Sequence, residues 1–207
     1  MGSNGKRDQI VNAGAKVFAK VGYHKATVED ILGEAGAARS TFYSYFSSKR
    51  DVFTAAVSGI MEDILGLLAP GIDDAIARFT APDLPPPDEA ELERRLAAIM
   101  TDVFHYIAKN RSMTKVFLHE LVGVDDEMTA LFIDFQERVT DEFERLIVFG
   151  EGIGIVRDLS ARRAAEFVVG GLIHLGRNLS AGLWKDDIEG VSAGFVDLQL
   201  NGLLVRG

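Results

Sequence analysis

The sequence contains no cysteine, which excludes disulfide bonds, thiolate metal ligands and cysteine nucleophiles. Proline and tryptophan are scarce, with 5 and 1 in 207 residues. No run approaches the roughly 20 apolar residues that span a bilayer, and residues 1–5 lack the apolar core of a signal peptide. The 47% hydrophobic and 9% aromatic content is nevertheless ordinary for a packed globular protein. We therefore expect a folded cytoplasmic protein without a membrane partner.

No segment of useful length alternates between apolar and polar residues as a strand does, and no internal repeat is visible. Apolar residues recur instead at three- and four-residue spacing, so the sequence predicts an all-α fold. One stripe covers residues 52–68 and is expected to end at Pro70-Gly71. The proline-rich segment at 81–87 predicts a stiff, extended connector. Five further helices are predicted at residues 88–110, 112–122, 125–149, 160–183 and 189–205.

The most specific pattern lies at residues 27–49, TVEDILGEAGAARSTFYSYFSSK. Thr27 is a residue type that caps helices, and two of the next three residues place negative charge at the positive end of the helix dipole. The apolar stripe that follows stops at Gly36, the residue type that best tolerates the left-handed conformation after a helix. Phe42 and Phe46 then have the spacing of buried anchors on a second, short helix. These features predict a helix-turn-helix.

The outer face of that second helix is rich in hydrogen-bond donors and has no carboxylate of its own. Arg, Ser, Thr and Tyr donate to phosphates and base edges alike, and Arg39 is the best candidate for a bidentate guanine contact. Ser48 is expected to cap the next helix, where Lys49 adds positive charge to unpaired amides and forms a phosphate site. The residues predicted to contact double-stranded DNA are Thr27, Arg39, Ser40, Thr41, Tyr43, Ser44, Tyr45 and Lys49.

The segment resembles the DNA-binding motif of the TetR family of bacterial transcriptional regulators, whose usual pattern is close to T-V-x-D-I-A-x-x-A-G-V-S-x-G-T-F-Y-x-Y-F-x-S-K. The residues in register are Thr27, Val28, Asp30, Ile31, Ala35, Gly36, Thr41, Phe42, Tyr43, Tyr45, Phe46, Ser48 and Lys49. Residues 10–23 are similar to the family's first helix and its closing Gly-aromatic pair. The resemblance is strong over about the first quarter of the chain. It implies a three-helix DNA-binding head at residues 1–50 and a helical ligand-binding and dimerisation body at 51–207.

Two positions depart from the family pattern. Ala37-Ala38 stands where the family usually has Val-Ser, so the second helix is expected to lack its side-chain cap, which costs typically about 1 kcal/mol. Gly33 inside the first helix also costs up to about 1 kcal/mol relative to alanine. The start of the second helix is therefore expected to fray until DNA binds.

Charge is distributed unevenly along the chain. A net charge of −9 would be unfavourable for DNA binding if it were spread evenly over the sequence. Residues 1–50 contain eight Lys/Arg and four Asp/Glu, which gives a net charge of +4. The remaining residues contain 14 Lys/Arg and 27 Asp/Glu, which gives a net charge of −13. A cationic head on an anionic body binds polyanions at one end and helps to orient the encounter with DNA.

Two short motifs suggest other chemistry, and their contexts argue against both. GVSAG at residues 190–194 spells the nucleophile elbow of serine hydrolases, but the preceding KDDIE cannot supply the buried strand that the elbow requires. LIVFGEGIG at residues 146–154 suggests a dinucleotide loop, yet Ile155 occupies the place of the last glycine, so a glycine-capped helix end is favoured. The histidines lack the spacing of metal ligands; they are His24, His105, His119 and His174. No catalysis, metal or cofactor is predicted.

Aromatic and methionine side chains of the body either fill its core or line a ligand cavity, and any single one is more often core. Phe167 and Trp184 belong to this group. We predict a mainly apolar cavity between the helices at 88–110, 125–149 and 160–183, in which a few polar groups orient the ligand. The residues predicted to bind it are Met100, Phe104, His105, Phe117, Glu120, Phe132, Phe135, His174 and Asn178.

The last two predicted helices are apolar and rich in small residues, which favours close packing and a homodimer formed by four helices. With the family resemblance, this predicts a regulator, most often a repressor, that is released from operator DNA by a small apolar or aromatic effector. One alternative is a DNA-binding regulator controlled by a protein partner, with no small-molecule site. An enzyme would need a clustered nucleophile or acid–base set, which the sequence does not show.

Overall fold

The structure is a computed structural model and describes residues 3–81, 83, 85, 88–121, 124–158, 160–184 and 186–203. The regular elements in these ranges are helices, which confirms the predicted all-α fold class. They are α1 (Ser3–Val21), α2 (Val28–Ala35), α3 (Arg39–Tyr43), α4 (Lys49–Phe79), α5 (Glu89–Lys109), α6 (Arg111–Lys115), which continues as a π-helical turn (Val116–Glu120), α7 (Asp126–Gly152), α8 (Ala161–Ala181) and α9 (Ile188–Leu203).

Helix α4 does not end at Pro70, so the break expected there is wrong. Proline removes one backbone donor from a helix, and packing of the residues beyond it can offset that loss. Ile72 and Ala75 continue the buried stripe and are each 1% exposed. Gly71 lies so close to α5 that an added Cβ would stand 2.7 Å from Ile99 Cγ1. The second half of α4 is thus held by its contacts with α5.

By length and composition α4 is apolar enough to cross a membrane, since its best window has a mean hydropathy of 1.6. This differs from the expectation that no run approaches that length. Half of the window is buried inside the protein, and the core helix of a soluble protein passes the same test. Val52, Phe53 and Ile60 are fully buried. We therefore assign α4 to the protein core.

The later helices agree with the predicted segments with one difference, and the ends of some segments lie outside the described residues. The segment at 112–122 is α6 followed by the π-helical turn rather than one continuous α-helix, and residue 122 lies outside the described residues. So do most of the connector at 81–87 and the last residues of the segment at 189–205. The GVSAG motif lies within α9, where the fully buried Ser192 donates its hydroxyl to the Ile188 carbonyl at 2.8 Å. It is not a nucleophile elbow.

Contacts divide the chain into two compact units, which are residues 1–63 with 110–133 and residues 64–109 with 134–207. In the first unit, an aromatic cluster joins α1 to α4, with the Phe53 ring centroid 5.3 Å from that of Phe18 and 4.7 Å from that of Tyr23. Gly14 of α1 packs against Val52, whose Cγ1 would lie 2.5 Å from an added Cβ. The functional boundary at residue 50 is not a contact boundary and stays a prediction.

The second unit is built from residues 64–79 of α4, residues 134–152 of α7, and α5, α8 and α9. Phe104 of α5 meets Phe195 of α9 with ring centroids 6.5 Å apart. Arg162 of α8 pairs with carboxylates of α7, among them Asp141 at 2.6 Å and Glu144 at 3.2 Å. Apolar packing and a bridging arginine together hold this unit's helices.

Candidate functional site

The helix-turn-helix forms with the local signals that its sequence predicts. Thr27 caps α2 through a capping box, in which the Asp30 amide donates to the Thr27 hydroxyl at 3.1 Å and the Thr27 amide donates to the Asp30 carboxylate at 2.9 Å. The Thr27 hydroxyl also donates to Asp30 Oδ2 at 2.6 Å, and this bond, followed by the one from the Thr27 amide, holds the pKa of Asp30 below its usual value. Gly36 adopts the left-handed conformation at φ 57° and ends the helix. The predicted cap and turn are confirmed.

Helix α3 begins without a side-chain cap at Ala38, as the departure from the family pattern predicts. Phe42 and Phe46 are 0% and 5% exposed and anchor the segment, while the Phe46 amide still donates to the Phe42 carbonyl at 2.9 Å. Their burial turns the opposite side of α3 to solvent. We call this side the reading face. Its exposed residues are Arg39, Ser40, Tyr43 and Ser44, flanked by the half-buried Thr41 and Tyr45.

The reading face has a carboxylate beside it that the sequence interpretation missed. Arg39 Nη1 lies 2.7 Å from Glu29 Oε1 of α2, and the guanidinium also lies over the Tyr43 ring at 5.6 Å from its centroid. Glu29 is ten residues from Arg39 and on another helix, so spacing within α3 gives no sign of it. The signal available was Glu29's place in the first turn of α2.

Lys49 lies at the start of α4 as predicted, and its ammonium binds backbone carbonyls. Lys49 Nζ donates to the carbonyls of Tyr23 and Ala26 at 2.8 Å each and to that of His24 at 3.2 Å. It also stands 4.7 Å from the Tyr23 ring centroid. An ammonium has three N–H donors, so these bonds give Lys49 a role in holding the loop between α1 and α2.

The start of α4 is capped as the sequence predicts. Asp51 Oδ2 accepts from the Ser47 amide at 2.7 Å, while the Ser48 hydroxyl accepts from the Asp51 amide at 3.3 Å and donates to Asp51 Oδ1 at 3.0 Å. The Ser47 amide, followed by the Ser48 hydroxyl, lowers the pKa of Asp51.

Arg50 is tied to the start of α7, an interaction that no sequence pattern indicates. Its Nη2 lies 3.0 Å from Asp125 Oδ2 and 2.9 Å from Glu127 Oε2. Asp125 also caps α7 by accepting from the Met128 amide at 2.9 Å, and this bond is the main cause of its lowered pKa. The positive charge of Arg50 is thus compensated within the first unit.

The second unit contains an apolar cavity of about 60 Å³. Its lining comes from α4, α5, α7, α8 and α9, and Gln199 is its one polar side chain among Ile72, Leu96, Ile99, Met100, Phe143, Leu146, Ile147, Val168, Val196, Gln199 and Leu200. Ligand pockets generally enclose about 300–1,000 Å³, so this cavity must enlarge to admit anything bigger than a small fragment.

The predicted ligand residues are not brought to one place. Met100 lines the cavity, while Phe104 and Phe135 are buried in the second unit without lining it. Phe117 and Phe132 belong to the first unit, where their ring centroids lie 5.4 Å apart. The aromatic residues thus divide between the two units.

The predicted polar ligand residues are found at the surface or outside the described side chains. His105 Nε2 of α5 lies 3.0 Å from Glu189 Oε1 of α9, and both side chains are more than half exposed. His174 is exposed and bonds to Asn178 one turn later, with 3.1 Å between Nε2 and Nδ2. The Glu120 side chain is outside the described part of the structure.

Helices α8 and α9 expose apolar side chains that the described part of this chain does not cover. Phe167 is 78% and Leu198 74% exposed, and Trp184, just after α8, is 47% exposed. The expectation that Phe167 and Trp184 fill the core or line a cavity is therefore wrong for the single chain, because its own contacts leave them open. Gly170 and Gly194 have open space where a Cβ would stand.

The fold and the capped helix-turn-helix with its exposed donors define the class, a helix-turn-helix DNA-binding protein. Residues 10–56 match the family model described as bacterial regulatory proteins, tetR family. The uncharacterized HTH-type transcriptional regulator YvdT of Bacillus subtilis (strain 168) is 36% identical over 63 residues, which cover 30% of this chain and 32% of that relative. The HTH-type transcriptional repressor DhaR of Mycobacterium sp. (strain GP1) is 23% identical over 79% of this chain and 76% of its own length.

A solved structure has the same fold over nearly the whole chain. It is the transcriptional regulator FadR from Bacillus subtilis in complex with stearoyl-CoA, with a TM-score of 0.71, 22% identity and coverage of 94% of this chain and 98% of that one. The chain therefore carries the DNA-binding domain of the tetR family at residues 10–56, and as a whole it has the fold of a solved transcriptional regulator. Regulators of this family bind DNA and are not enzymes.

Proposed function

We propose that the reading face of α3 contacts the bases of an operator, and the observation that carries this is the exposure of its donors opposite Phe42 and Phe46. In this proposal Arg39 contacts guanine and Tyr43 contacts phosphate or base. Lys49 reaches phosphate by exchanging its longest bond, the 3.2 Å contact with the His24 carbonyl. The remaining contacts come from the other predicted DNA-binding residues.

We further propose that the protein is a cytoplasmic repressor whose operator binding is released by a small apolar or aromatic ligand. The apolar cavity of the second unit supports this, as do the repressor DhaR among the relatives and the acyl-CoA complex of FadR among the structures. Helix-turn-helix dimers read half-sites about 34 Å apart. A ligand that stabilises another separation of the two heads therefore lowers the population that can bind DNA.

Thermal-shift screening tests this function, since a ligand that binds the folded state raises the melting temperature. The panel contains fatty acids, acyl-CoAs and small aromatic compounds. Val168→Phe fills the cavity, and it is expected to abolish the shift caused by any active ligand. Val148→Phe makes the same change at an α7 residue that is 51% exposed and does not line the cavity, so it should retain the shift. A panel without any stabilising compound favours control by a protein partner.

A further inference from the structure

The ion pair between Arg39 and Glu29 joins the residue best suited to read a base to a carboxylate on the preceding helix. The two groups are 2.7 Å apart, and their side chains are 66% and 62% exposed. Exposed ion pairs are weak, so the pair contributes little to folding. Because the pair lies beside the reading face, it affects how Arg39 contacts DNA.

Because Arg39 is paired with Glu29, a contact between Arg39 and DNA competes with this ion pair. A guanidinium has five N–H donors in a fixed fork, and a bidentate contact with guanine O6 and N7 uses two of them. A bidentate base contact is strong enough to replace a weak exposed pair, or to coexist with it through other donors. A single contact with a phosphate is not strong enough to replace the ion pair, because the phosphate also repels the Glu29 carboxylate.

We propose that Glu29 is a specificity-determining residue that raises the ratio of cognate to non-cognate DNA binding by opposing the contacts of Arg39 with phosphate. This inference rests on the proposed role of the reading face. Arg39 is held between Glu29 and the Tyr43 ring in the unbound head. Only a guanine at the matching position offers acceptors that compensate for disturbing this arrangement.

The test compares Glu29→Gln with a matched control, Glu34→Gln. Both residues lie on α2 and both pair with a cation, but Glu34 binds Lys16 of α1 at 3.1 Å rather than a residue of the reading face. A cognate duplex is first enriched from a randomised duplex library with the unaltered protein. Binding isotherms are then measured for this duplex and for a scrambled duplex of equal length, at several salt concentrations.

For Glu29→Gln we expect binding to the scrambled duplex to tighten about three- to tenfold, with its salt dependence increased by about one ion. Binding to the cognate duplex should change less than about twofold, so the specificity ratio falls. Glu34→Gln should leave the ratio unchanged. In the Arg39→Ala background, Glu29→Gln should no longer change the ratio, because its effect passes through Arg39.

Equal tightening on both duplexes would overturn the inference, since it would reduce Glu29 to a general charge effect. Weaker cognate binding with unchanged scrambled binding would overturn it as well, because Glu29 would then support the base contact. Failure of the unaltered protein to enrich any sequence contradicts the proposed function itself, which is a separate result from failure of the Glu29 comparison.

Discussion

Lys49 has a structural role in the fold in addition to its proposed contact with DNA phosphate. Its ammonium joins the start of α4 to three carbonyls of residues 23–26. We expect Lys49→Ala to destabilise the protein by about 1–3 kcal/mol, because hydrogen bonds from charged groups are lost from a half-buried site. Denaturant unfolding measures this. Lys25→Ala, at an exposed neighbour, is the control and should change stability by less than about 0.5 kcal/mol.

Arg39 is the residue proposed to recognise a base. Arg39→Ala should cost about 1–3 kcal/mol on the enriched duplex and relax the preference at one base pair, since it removes a bidentate contact. Isotherms on duplexes with single substitutions measure the preference. Unchanged discrimination at every position would remove Arg39 from base reading and leave it a phosphate contact.

The capping carboxylate Asp51 makes stability depend on pH. Its pKa in the folded protein is lowered by the Ser47 amide and Ser48 hydroxyl, so its contribution is complete above the unfolded value of about 3.9 and is lost as pH falls through the lower folded value. The Asp51→Asn variant should therefore have a lower melting temperature than the unaltered protein at pH 7. The difference between the two melting temperatures should shrink as pH falls below about 4. Melting curves at pH 7 and pH 3 check this. A constant difference would exclude the linkage.

At the scale of single elements, helix α3 permits a direct gain in stability. The backbone of Ala38 is extended at φ −71° and ψ 150°, which suits a capping residue, and no side chain caps the helix. Ala38→Ser should stabilise the protein by about 1 kcal/mol without altering which duplex is preferred. Ala37→Ser places the same hydroxyl one residue before the cap and should have no such effect. A changed preference in Ala38→Ser would show that this position contacts DNA.

Elements set by local chemistry could be predicted from the sequence. Thr27 and Gly36 bound α2 because capping and left-handed geometry depend on neighbours a few residues away. The course of α4 through Pro70 could not be predicted, since it depends on Ile99 in another helix. The same holds for the Arg39–Glu29 pair and for the cavity, whose lining comes from five helices. Sequence periodicity marks which residues are apolar but not which of them meet.

At the scale of the whole molecule, the exposed apolar surface of α8 and α9 supports the homodimer that the sequence predicts. Light scattering should give a dimer mass at micromolar concentration, because Phe167 and Leu198 are otherwise left in water. Gly194→Glu fits the single chain, where a Cβ meets nothing within 4 Å, and should produce monomers. Gly66→Glu, at an equally open glycine of α4, should remain dimeric. A monomeric unaltered protein would contradict the proposal.

Gly171 and Gly176 are unsuitable for that test, although they are among the small residues of α8. A Cβ at Gly171 would stand 2.9 Å from Phe195 Cε2 of the same chain, and Gly176 is buried. Bulky residues there would disturb packing within one protomer before they affected association. Among the glycines of α8, at positions 170, 171 and 176, Gly170 is the exposed one with open space for a Cβ, so it suits a test of association better.

In the proposed function, ligand binding by the body and DNA binding by the head oppose each other. The most direct measurement is fluorescence anisotropy of the enriched duplex with the intact protein, with and without the compound that gives the largest thermal shift. We expect that compound to weaken duplex binding at least about tenfold, a coupling of about 1.4 kcal/mol, and Val168→Phe to remove the effect. A compound that raises the melting temperature but leaves the isotherm unchanged would contradict the account.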